Sequence, residues 1–172
     1  MSDYTLSIII PYYNQPEMLA KQIEYWRDWP DKTEIVVVDD GSKKEAIDVL
    51  EGVAKDFPNL RLFRIEEDIL WNQGGAKNLG VHCAKGEWIA WCDIDHVYTK
   101  EAIDNTLSLI DRTDKGAKLV YKPFRVYPNG GDYKQQANFG ILHRDDFQSL
   151  GGFNEDFSGH YGYEDLYFFW LA

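Results

Sequence analysis

Two carboxylates separated by one residue follow a short, mostly apolar segment of the sequence. Residues 88–92 are Trp-Ile-Ala-Trp-Cys, and Asp93 and Asp95 come directly after them. In an extended chain both side chains point to the same face, and like charges that close need a cation if both are to stay ionised. A Mg²⁺ or Mn²⁺ ion fits them, because hard divalent ions prefer oxygen ligands and also take substrate phosphates. The alternatives are a solvated loop, or Asp95 as the cap of the following helix.

A glycine-containing loop supplies a second group of candidate residues. Asn72, Gly75 and Lys77 belong to the segment Trp-Asn-Gln-Gly-Gly-Ala-Lys-Asn, residues 71–78. Glycines allow close backbone approach, a helix N-terminus offers free N–H groups to an anion, and the lysine adds positive charge. The spacing matches neither a Walker motif nor a Gly-x-Gly-x-x-Gly fingerprint. An ordinary loop before a helix explains the segment equally well.

An acidic pair at the start of the last predicted helix is the third group. Glu164 and Asp165 follow a glycine-rich, aromatic segment, residues 151–163. One of the two carboxylates is a candidate general base for an acceptor hydroxyl. Tyr161, Tyr163 and Phe153 are candidates for a platform on which a sugar ring stacks. Acidic residues are also common in a first helical turn because of the helix dipole, and core packing is the competing account of the aromatic residues.

Alternating strand and helix patterns must position these groups. Apolar and β-branched runs predict strands, and a helical spacing of apolar residues predicts helices between them. Such alternation builds βαβ units, so we expect an α/β fold with a mostly parallel central sheet flanked by helices. The predicted strands are residues 6–10, 33–38, 60–65 and 87–92, and the predicted helices are residues 16–29, 43–57, 76–84 and 99–111.

Polar residues stand at the carboxyl ends of three predicted strands, where open α/β sheets bind their ligands. Pro11 and Tyr13 follow the first strand, with Pro11 expected to stop it. Asp39 and Asp40 end the second strand, and the Asp-Ile-Asp segment ends the fourth. A turn leading to Ser42 as a helix cap explains the second cluster about equally well. Together the three clusters predict one shared crevice.

The second half of the chain has a different character. Strands are predicted over residues 117–122, 124–127 and 132–142, with a hairpin turn at 128–131, and helices over 144–150 and 164–171. These patterns indicate a small mixed or antiparallel part. No linker or repeat interrupts the sequence. We therefore expect a single domain, residues 1–172, with a nucleotide-binding half, 1–98, and an acceptor and catalytic half, 99–172.

Composition excludes several classes of protein. The net charge is −11, from 29 acidic and 18 basic residues, and the basic residues are scattered, so nucleic acid is not an expected partner. A small anion can still bind if a divalent cation bridges it to the carboxylates. The apolar runs are too short to span a bilayer, and no secretory signal is visible. Two cysteines give no disulfide framework, which favours a reduced, cytoplasmic location.

Five motifs in order resemble the family 2 glycosyltransferases of the GT-A (Rossmann-like) fold, over almost the whole chain. They are Ser-Ile-Ile-Ile-Pro-Tyr-Tyr-Asn at 7–14, Val-Val-Asp-Asp-Gly-Ser at 37–42, Asn-Gln-Gly and Lys-Asn-Leu-Gly within 72–80, Asp-Ile-Asp at 93–95, and Gly-Gly-Phe with Glu-Asp within 151–165. Residues 138–165 also resemble the C-terminal part of the β-1,4-galactosyltransferase group. The resemblance implies transfer from a nucleotide-sugar donor, UDP-linked as a first expectation, to a glycan or other hydroxyl acceptor.

The resemblance also implies roles for single residues. Asp95 would bind Mn²⁺ or Mg²⁺, and Asp93 would contact the metal site and the ribose or donor sugar. Asp165 would be the base of a single inverting displacement, with Glu164 holding the acceptor beside Tyr161 and Tyr163. The remaining nucleotide contacts would come from Pro11, Tyr13, Asp39 and Asp40 at the base and ribose, and from Asn72, Gly75 and Lys77 along the nucleotide.

Some positions depart from the family pattern. Relatives often have arginine where Lys77 stands, and many supply a histidine metal ligand downstream of the acidic pair. His96, His143 and His160 are the candidates here, but each is expected to be a surface or loop residue, and His96 to point away from Asp95. The apolar segment 166–172 is expected to pack into the core, to join copies of the chain, or to continue into a longer protein.

Two other functions stay open at the level of the sequence. A truncated or degenerate domain of this kind would bind nucleotide or glycan without turnover. A nucleotidyltransferase would share the α/β nucleotide-binding half, but the N-terminal glycine-rich basic loop of such enzymes is absent from the sequence.

Overall fold

A mixed β-sheet with helices on both faces forms the centre of the molecule. The computed structural model describes residues 3–114, 116–127, 134–135 and 137–172. The strands are β1 Leu6–Tyr12, β2 Thr33–Asp40, β3 Leu60–Ile65, β4 Trp88–Trp91, β5 Val120–Tyr121, β6 Phe124–Arg125, β7 Lys134–Gln135 and β8 Gly140–His143. The α-helices are α1 Pro16–Trp26, α2 Lys44–Ala54, α3 Gln73–Cys83, α4 Lys100–Arg112, α5 Arg144–Ser149 and α6 Glu164–Leu171, and a 3₁₀-helix spans Glu155–Phe157.

The strand order of the main sheet is β3-β2-β1-β4-β8-β5. The first four strands pair in parallel, and β8 and β5 extend the sheet in antiparallel pairing. A separate antiparallel pair joins β6 to β7. The expected α/β fold, with a mostly parallel sheet and an antiparallel second half, is confirmed. Because β2 and β4 lie on opposite sides of β1, the strand order reverses there, and a crevice opens at the carboxyl ends of β1 and β4.

Helices cover both faces of the sheet. One apolar core joins the sheet to α1, α2 and α4, and the other joins it to α3, α5 and α6. Burial on both faces explains why β1 and β2 are buried at every position instead of alternating. Helix α3 lies especially close to β1, because a Cβ at Gly80 would collide with the Ile9 side chain. This close packing holds the N-terminal end of α3 at the crevice.

The structure corrects two predicted ends of elements. Strand β1 continues through Pro11 instead of stopping there. The nitrogen of Pro11 faces the β4 side of the strand, but the pairing with β4 has already ended two residues earlier, at Ile9. Proline therefore costs no ladder hydrogen bond at this point. Helix α2 is capped by Lys43 without a side-chain bond, and the Ser42 hydroxyl instead accepts from the backbone N–H of Asn14. Ser42 thus ties the end of β1 to the loop before α2.

Other elements are shorter than expected. Helix α1 ends at Trp26 rather than at residue 29, and the predicted strand 132–142 is interrupted by a turn at residues 137–138. The predicted hairpin turn, 128–131, lies outside the described residues. Within the part of the chain that the structure describes, no helix has the length and apolar character needed to cross a membrane.

The last helix, α6, has one buried and one exposed side. Phe168 is fully buried among Trp91, Phe147 and Phe153, whereas Leu166 and Trp170 are exposed. Part of the apolar segment 166–172 therefore packs into the core, which is one of the three alternatives that the sequence left open. An interface between copies through its exposed side stays a prediction.

Candidate functional site

A cavity of about 610 Å³ occupies the crevice at the carboxyl ends of the central strands. This size suits a drug-sized or nucleotide-sized ligand. Ten of the predicted site residues line it together, although they come from both halves of the sequence: Pro11, Tyr13, Asp40, Asn72, Asp93, Asp95, Tyr161, Tyr163, Glu164 and Asp165. Asp39, Gly75 and Lys77 do not line it.

The cavity wall is strongly acidic. Its carboxylates are Asp40, Asp68, Asp93, Asp95, Glu164 and Asp165. Among the described residues that line the cavity there is no lysine or arginine. An anionic ligand such as a diphosphate would therefore meet like charge on every side, unless a cation enters with it.

Asp93 is held in place by two amide side chains. Gln73, at the first position of α3, donates to Oδ1, and Asn138 donates to Oδ2 at 2.5 Å. The Lys77 ammonium lies 3.9 Å from Oδ1. Both carboxylate oxygens thus have partners, and the orientation of Asp93 is defined before any ligand binds.

Asp95 is more open, and the chain around it is a turn rather than an extended segment. The N–H of His96 donates to the carbonyl of Asp93 at 3.0 Å, which closes the turn. The buried side chain of Gln22, on α1, donates to the carbonyls of Ile94 and His96 at 2.8 and 2.6 Å. These two bonds hold the turn in place. The Asp95 side chain is 57% exposed.

The prediction that His96 points away from Asp95 is wrong. The turn rotates the imidazole back, and its Nδ1 lies 2.8 Å from Oδ1 of Asp95. Burial lowers the pKa of His96, the charge of Asp95 opposes that effect, and the charge of Arg125 adds to it. His143 and His160 do not line the cavity.

Asp93, Asp95 and His96 form a group that could hold a metal ion, since their ligand atoms all lie within 4.8 Å of one another. Nδ1 of His96 is buried and lies 2.8 Å from the Asp95 carboxylate, so an ion at this nitrogen would be shared with Asp95. Arg125, however, contacts Nε2, and an arginine can only donate. While that contact lasts, the ring proton sits on Nδ1, so His96 can bind a metal only in exchange for it. The carboxylates fit Mn²⁺ or Mg²⁺ without such a change.

Asp40 and Asn72 form another part of the cavity wall. Asn72 donates to Asp40 at 3.0 Å, and its carbonyl oxygen accepts from the Ser158 hydroxyl at 2.8 Å. Burial raises the pKa of Asp40, while the bond from Asn72 lowers it. Gly75 leaves room for the Asn72 side chain, because a Cβ at residue 75 would collide with the Asn72 amide. The glycine is therefore needed for the placement of Asn72.

Asp39 is held by contacts with other residues of the protein and does not line the cavity. It is almost fully buried, its carboxylate accepts from the N–H of Ser42 at 3.3 Å, and Arg64 lies 3.5 Å away. Its pKa is raised by burial, and the bonds from Ser42 and the charge of Arg64 oppose that rise. Tyr13, in contrast, faces the cavity and donates to Asp68 at 3.1 Å. A nucleotide contact of Asp39 stays a prediction.

The acidic pair enters the cavity from the start of α6. Asp165 is 14% exposed, and the Lys77 ammonium donates to its Oδ1 at 2.7 Å. Burial raises the pKa of Asp165 to about 6, against the lowering effect of Lys77. Glu164 is buried, and its Oε2 finds no hydrogen-bond partner among the described residues. A buried carboxylate oxygen without a partner costs free energy that a ligand hydroxyl would recover.

Aromatic side chains form the outer rim. Tyr161 and Tyr163 are strongly exposed, and Trp71 meets Tyr161 edge to face with ring centroids 4.3 Å apart. Trp71 and Tyr163 both have positive φ, 48° and 73°, and each stands directly before a residue that faces the cavity. Positive φ is uncommon outside glycine and tends to occur at functional sites. Gly159 donates to the carbonyl of Leu70 at 2.6 Å, which joins the two rim loops.

Sequence reasoning missed several residues that support the site. Gln22 could have been suspected, because it is a polar residue within the apolar stripe of α1. Gln73 adjoins the glycines of the loop, and Asn138 belongs to the segment whose resemblance was noted. Arg125 and Asp68 carry no such signal, since only the fold brings them to His96 and Tyr13.

A sheet with this strand order and an acidic cavity at its switch point is the architecture of an α/β protein of the GT-A fold. The family model described as Glycosyl transferase family 2 matches residues 7–165. The chain belongs to that family.

Relatives and solved structures agree with this assignment. The amylovoran biosynthesis glycosyltransferase AmsB of Erwinia amylovora is 25% identical over 138 residues, which is 78% of this chain and 46% of AmsB. S. aureus TarS in complex with UDP-GlcNAc superposes with a TM-score of 0.79 at 19% identity, over 98% of this chain and 53% of that one. The mannosyltransferase PcManGT from Pyrobaculum calidifontis, in complex with GDP-Man and Mn²⁺, gives 0.68 at 20% identity, over 88% of this chain and 48% of that one.

These structural likenesses establish the fold. The chain spans about half of the length of each of these proteins.

Proposed function

We propose that this protein is a metal-dependent, inverting glycosyltransferase that moves a hexose from a nucleotide-sugar donor, UDP-linked in the first instance, to a hydroxyl acceptor of a glycan or polysaccharide. One observation carries the proposal. The acidic turn that follows β4 and the acidic pair that opens α6 line the same cavity, at the switch point of the sheet. The proposal treats residues 1–172 as one domain, with a donor half, 1–98, and an acceptor half, 99–172.

The donor half is supported by the charge of the cavity. A nucleoside diphosphate can enter a wall of carboxylates only with a cation, and Asp95 has the exposed oxygens to hold Mn²⁺ or Mg²⁺. When bound, the ion would neutralise charge on the diphosphate leaving group. Asp93, whose oxygens already accept from Gln73 and Asn138, is placed in the proposal beside the ribose or donor sugar.

The proposal puts the nucleotide base and ribose at the part of the wall formed by Asp40 and Asn72, with Pro11 and Tyr13 also lining the cavity. A buried carboxylate paired with an amide offers both acceptor and donor groups for the polar edge of a base. Asn72 is itself held by Ser158, so this wall is fixed before the nucleotide enters.

Asp165 supplies the base in the acceptor half. Its carboxylate takes the proton of the acceptor hydroxyl while that oxygen attacks the anomeric carbon. The bond from the anomeric carbon to the diphosphate oxygen breaks on the opposite face, and the nucleoside diphosphate leaves with the electron pair. A single displacement of this kind inverts the anomeric configuration. The unpartnered oxygen of Glu164 holds the acceptor, and Tyr161 and Tyr163 stack on its ring.

The relatives support the choice of donors to test. The TarS structure is a complex with UDP-GlcNAc, and the PcManGT structure is a complex with GDP-Man and Mn²⁺. The resemblance of residues 138–165 to the β-1,4-galactosyltransferase group adds UDP-galactose to the panel. Release of nucleoside diphosphate is measured from each donor with a mixture of glycan acceptors, with Mn²⁺, with Mg²⁺ and with a chelator.

The expected result is release of nucleoside diphosphate from one donor, dependent on metal and on acceptor, with a product of inverted configuration. Nucleotide binding without turnover on any donor would favour the alternative, a domain that binds nucleotide or glycan only. Release of pyrophosphate instead would indicate a nucleotidyltransferase.

A further inference from the structure

Lys77 of α3 is a buried cation placed between the two acidic parts of the site. Its side chain is fully buried. Its ammonium donates to Oδ1 of Asp165 at 2.7 Å, lies 3.9 Å from Oδ1 of Asp93 and stands 5.0 Å from the centre of the Phe153 ring. Two carboxylates and an aromatic face therefore replace the water that an exposed lysine would have.

This position removes Lys77 from direct contact with a substrate. It is absent from the described residues that line the cavity, although both of its carboxylate partners line it. Any influence of Lys77 on a reaction must pass through Asp93 and Asp165. A charge that touches no ligand and is costly to bury calls for a reason, and the geometry at its two partners supplies one.

The contacts of Asp165 show what the ammonium does there. Among the hydrogen bonds of the described residues, Lys77 is the partner of Oδ1 of Asp165. Oδ2 is left for the hydroxyl group of the acceptor substrate. The charged groups that face Asp165 are Lys77 from α3, Asp93 from the turn after β4, and its neighbour Glu164. Of these, Lys77 alone is positive, so it alone opposes both the like charges and the burial of the carboxylate.

We propose that Lys77 is a positioning residue, which fixes the rotamer and the ionised state of Asp165 and ties that carboxylate to Asp93 on the donor side. The inference rests on the proposed function and deepens it. The buried ammonium sets the distance between Asp165, which receives the proton of the acceptor hydroxyl, and Asp93, which lies beside the donor. Lysine suits this place because its compact ammonium donates to Asp165 and still lies 3.9 Å from Asp93, whereas the planar fork of arginine favours a single bidentate partner.

The test compares Lys77→Met with Lys77→Arg. Loss of the ammonium in Lys77→Met is expected to lower kcat by about 100-fold or more, the range of general-base catalysis, while the donor KM changes by less than about threefold. The acid limb of the rate profile should move to higher pH, because nothing then opposes the burial of Asp165. Lys77→Arg should recover part of kcat. Lys44→Met, at an exposed ion pair with Asp48 on α2, is the matched control and should leave every parameter unchanged.

A double variant separates positioning from mere stability. If Lys77 acts through Asp165, Lys77→Met should lower kcat no further in the Asp165→Asn background. This combination also removes both charges of the pair, so it keeps the test usable if Lys77→Met alone folds poorly. Additive losses in the double variant, an unchanged kcat in a folded Lys77→Met protein, or a rise of donor KM as the main effect would each overturn the proposal. The last outcome would put Lys77 along the nucleotide instead.

The proposal can fail separately from the proposed function. If the unaltered protein transfers no sugar from any donor, the proposed function fails, and Lys77 is then tested by carboxyl ¹³C NMR titration of Asp165. Lys77→Met must still raise the pKa of Asp165 in that experiment. An unchanged titration would refute the positioning role by itself.

Discussion

The pH dependence of sugar transfer tests the assignment of Asp165 most directly. Burial raises the pKa of this carboxyl group to about 6, although the Lys77 ammonium lowers it. A general base works only when it is ionised, so the activity should be present above about pH 6 and lost as the pH falls through it. At pH 5 about one carboxylate in ten would be ionised, and kcat should be about tenfold below its plateau. An aspartate with an ordinary pKa would still be more than about nine-tenths ionised there.

The assay measures initial rates between pH 5 and pH 8 at constant ionic strength, with saturating donor, acceptor and Mn²⁺. Binding of the nucleoside diphosphate with Mn²⁺ is measured at the same pH values, because Asp93, Asp95 and His96 also lie in the cavity. An inflection near pH 4, or a loss of nucleotide binding that parallels the loss of rate, would refute the reasoning. The first result would show an ordinary carboxyl group, and the second would place the titration on the donor side.

The remaining predictions concern the metal, the acceptor and the packing of the sheet. Asp95→Ala should abolish Mn²⁺-dependent nucleotide binding in calorimetry, whereas Asp48→Ala on the exposed side of α2 should not; unchanged binding would exclude Asp95 as the metal ligand. Tyr161→Ala should raise the acceptor KM by up to about tenfold and leave the donor KM unchanged, since aromatic contacts contribute about 0.5–1.5 kcal/mol. Gly80→Ala should lower the free energy of unfolding by about 1–3 kcal/mol, because the new methyl group meets Ile9. In the same denaturant titrations, the matched Gly52→Ala on α2, where a Cβ meets nothing within 4 Å, should be neutral or stabilising by up to about 1 kcal/mol.

The central fold could be predicted from the sequence because its signals are local. The β-branched run of β2 and the alternating residues of β3 mark strands by themselves, and β3 begins and ends where it was predicted. The short strands β5 to β8 could not be placed in the same way. Their pairing depends on partners distant in sequence, as in the pairing of Trp91 with Gly140.

Part of the site followed from the same logic. Parallel strands bring their carboxyl ends to one edge, so the polar residues after β1, β2 and β4 were expected to meet, and most of them line one cavity. The position of Lys77 was not predictable, because its closest partner is 88 residues away in the sequence. His96 was placed wrongly because a turn, rather than an extended chain, follows β4. Spacing gives a side-chain direction only where the backbone conformation is regular.

The packing of α6 has a consequence for the order in which the protein folds during its synthesis. Phe168 packs against Trp91 of β4 and against Phe147 and Phe153, all of which must be present before Asp165 can take its place. Chains fold from the N-terminal side during synthesis, so β1 to β4 and the turn with Asp95 emerge from the ribosome well before α6 does. The donor side also depends on late residues, because Asn138 holds Asp93 and Ser158 holds Asn72. The cavity is therefore completed only after the segment 138–165 has emerged and packed against the sheet.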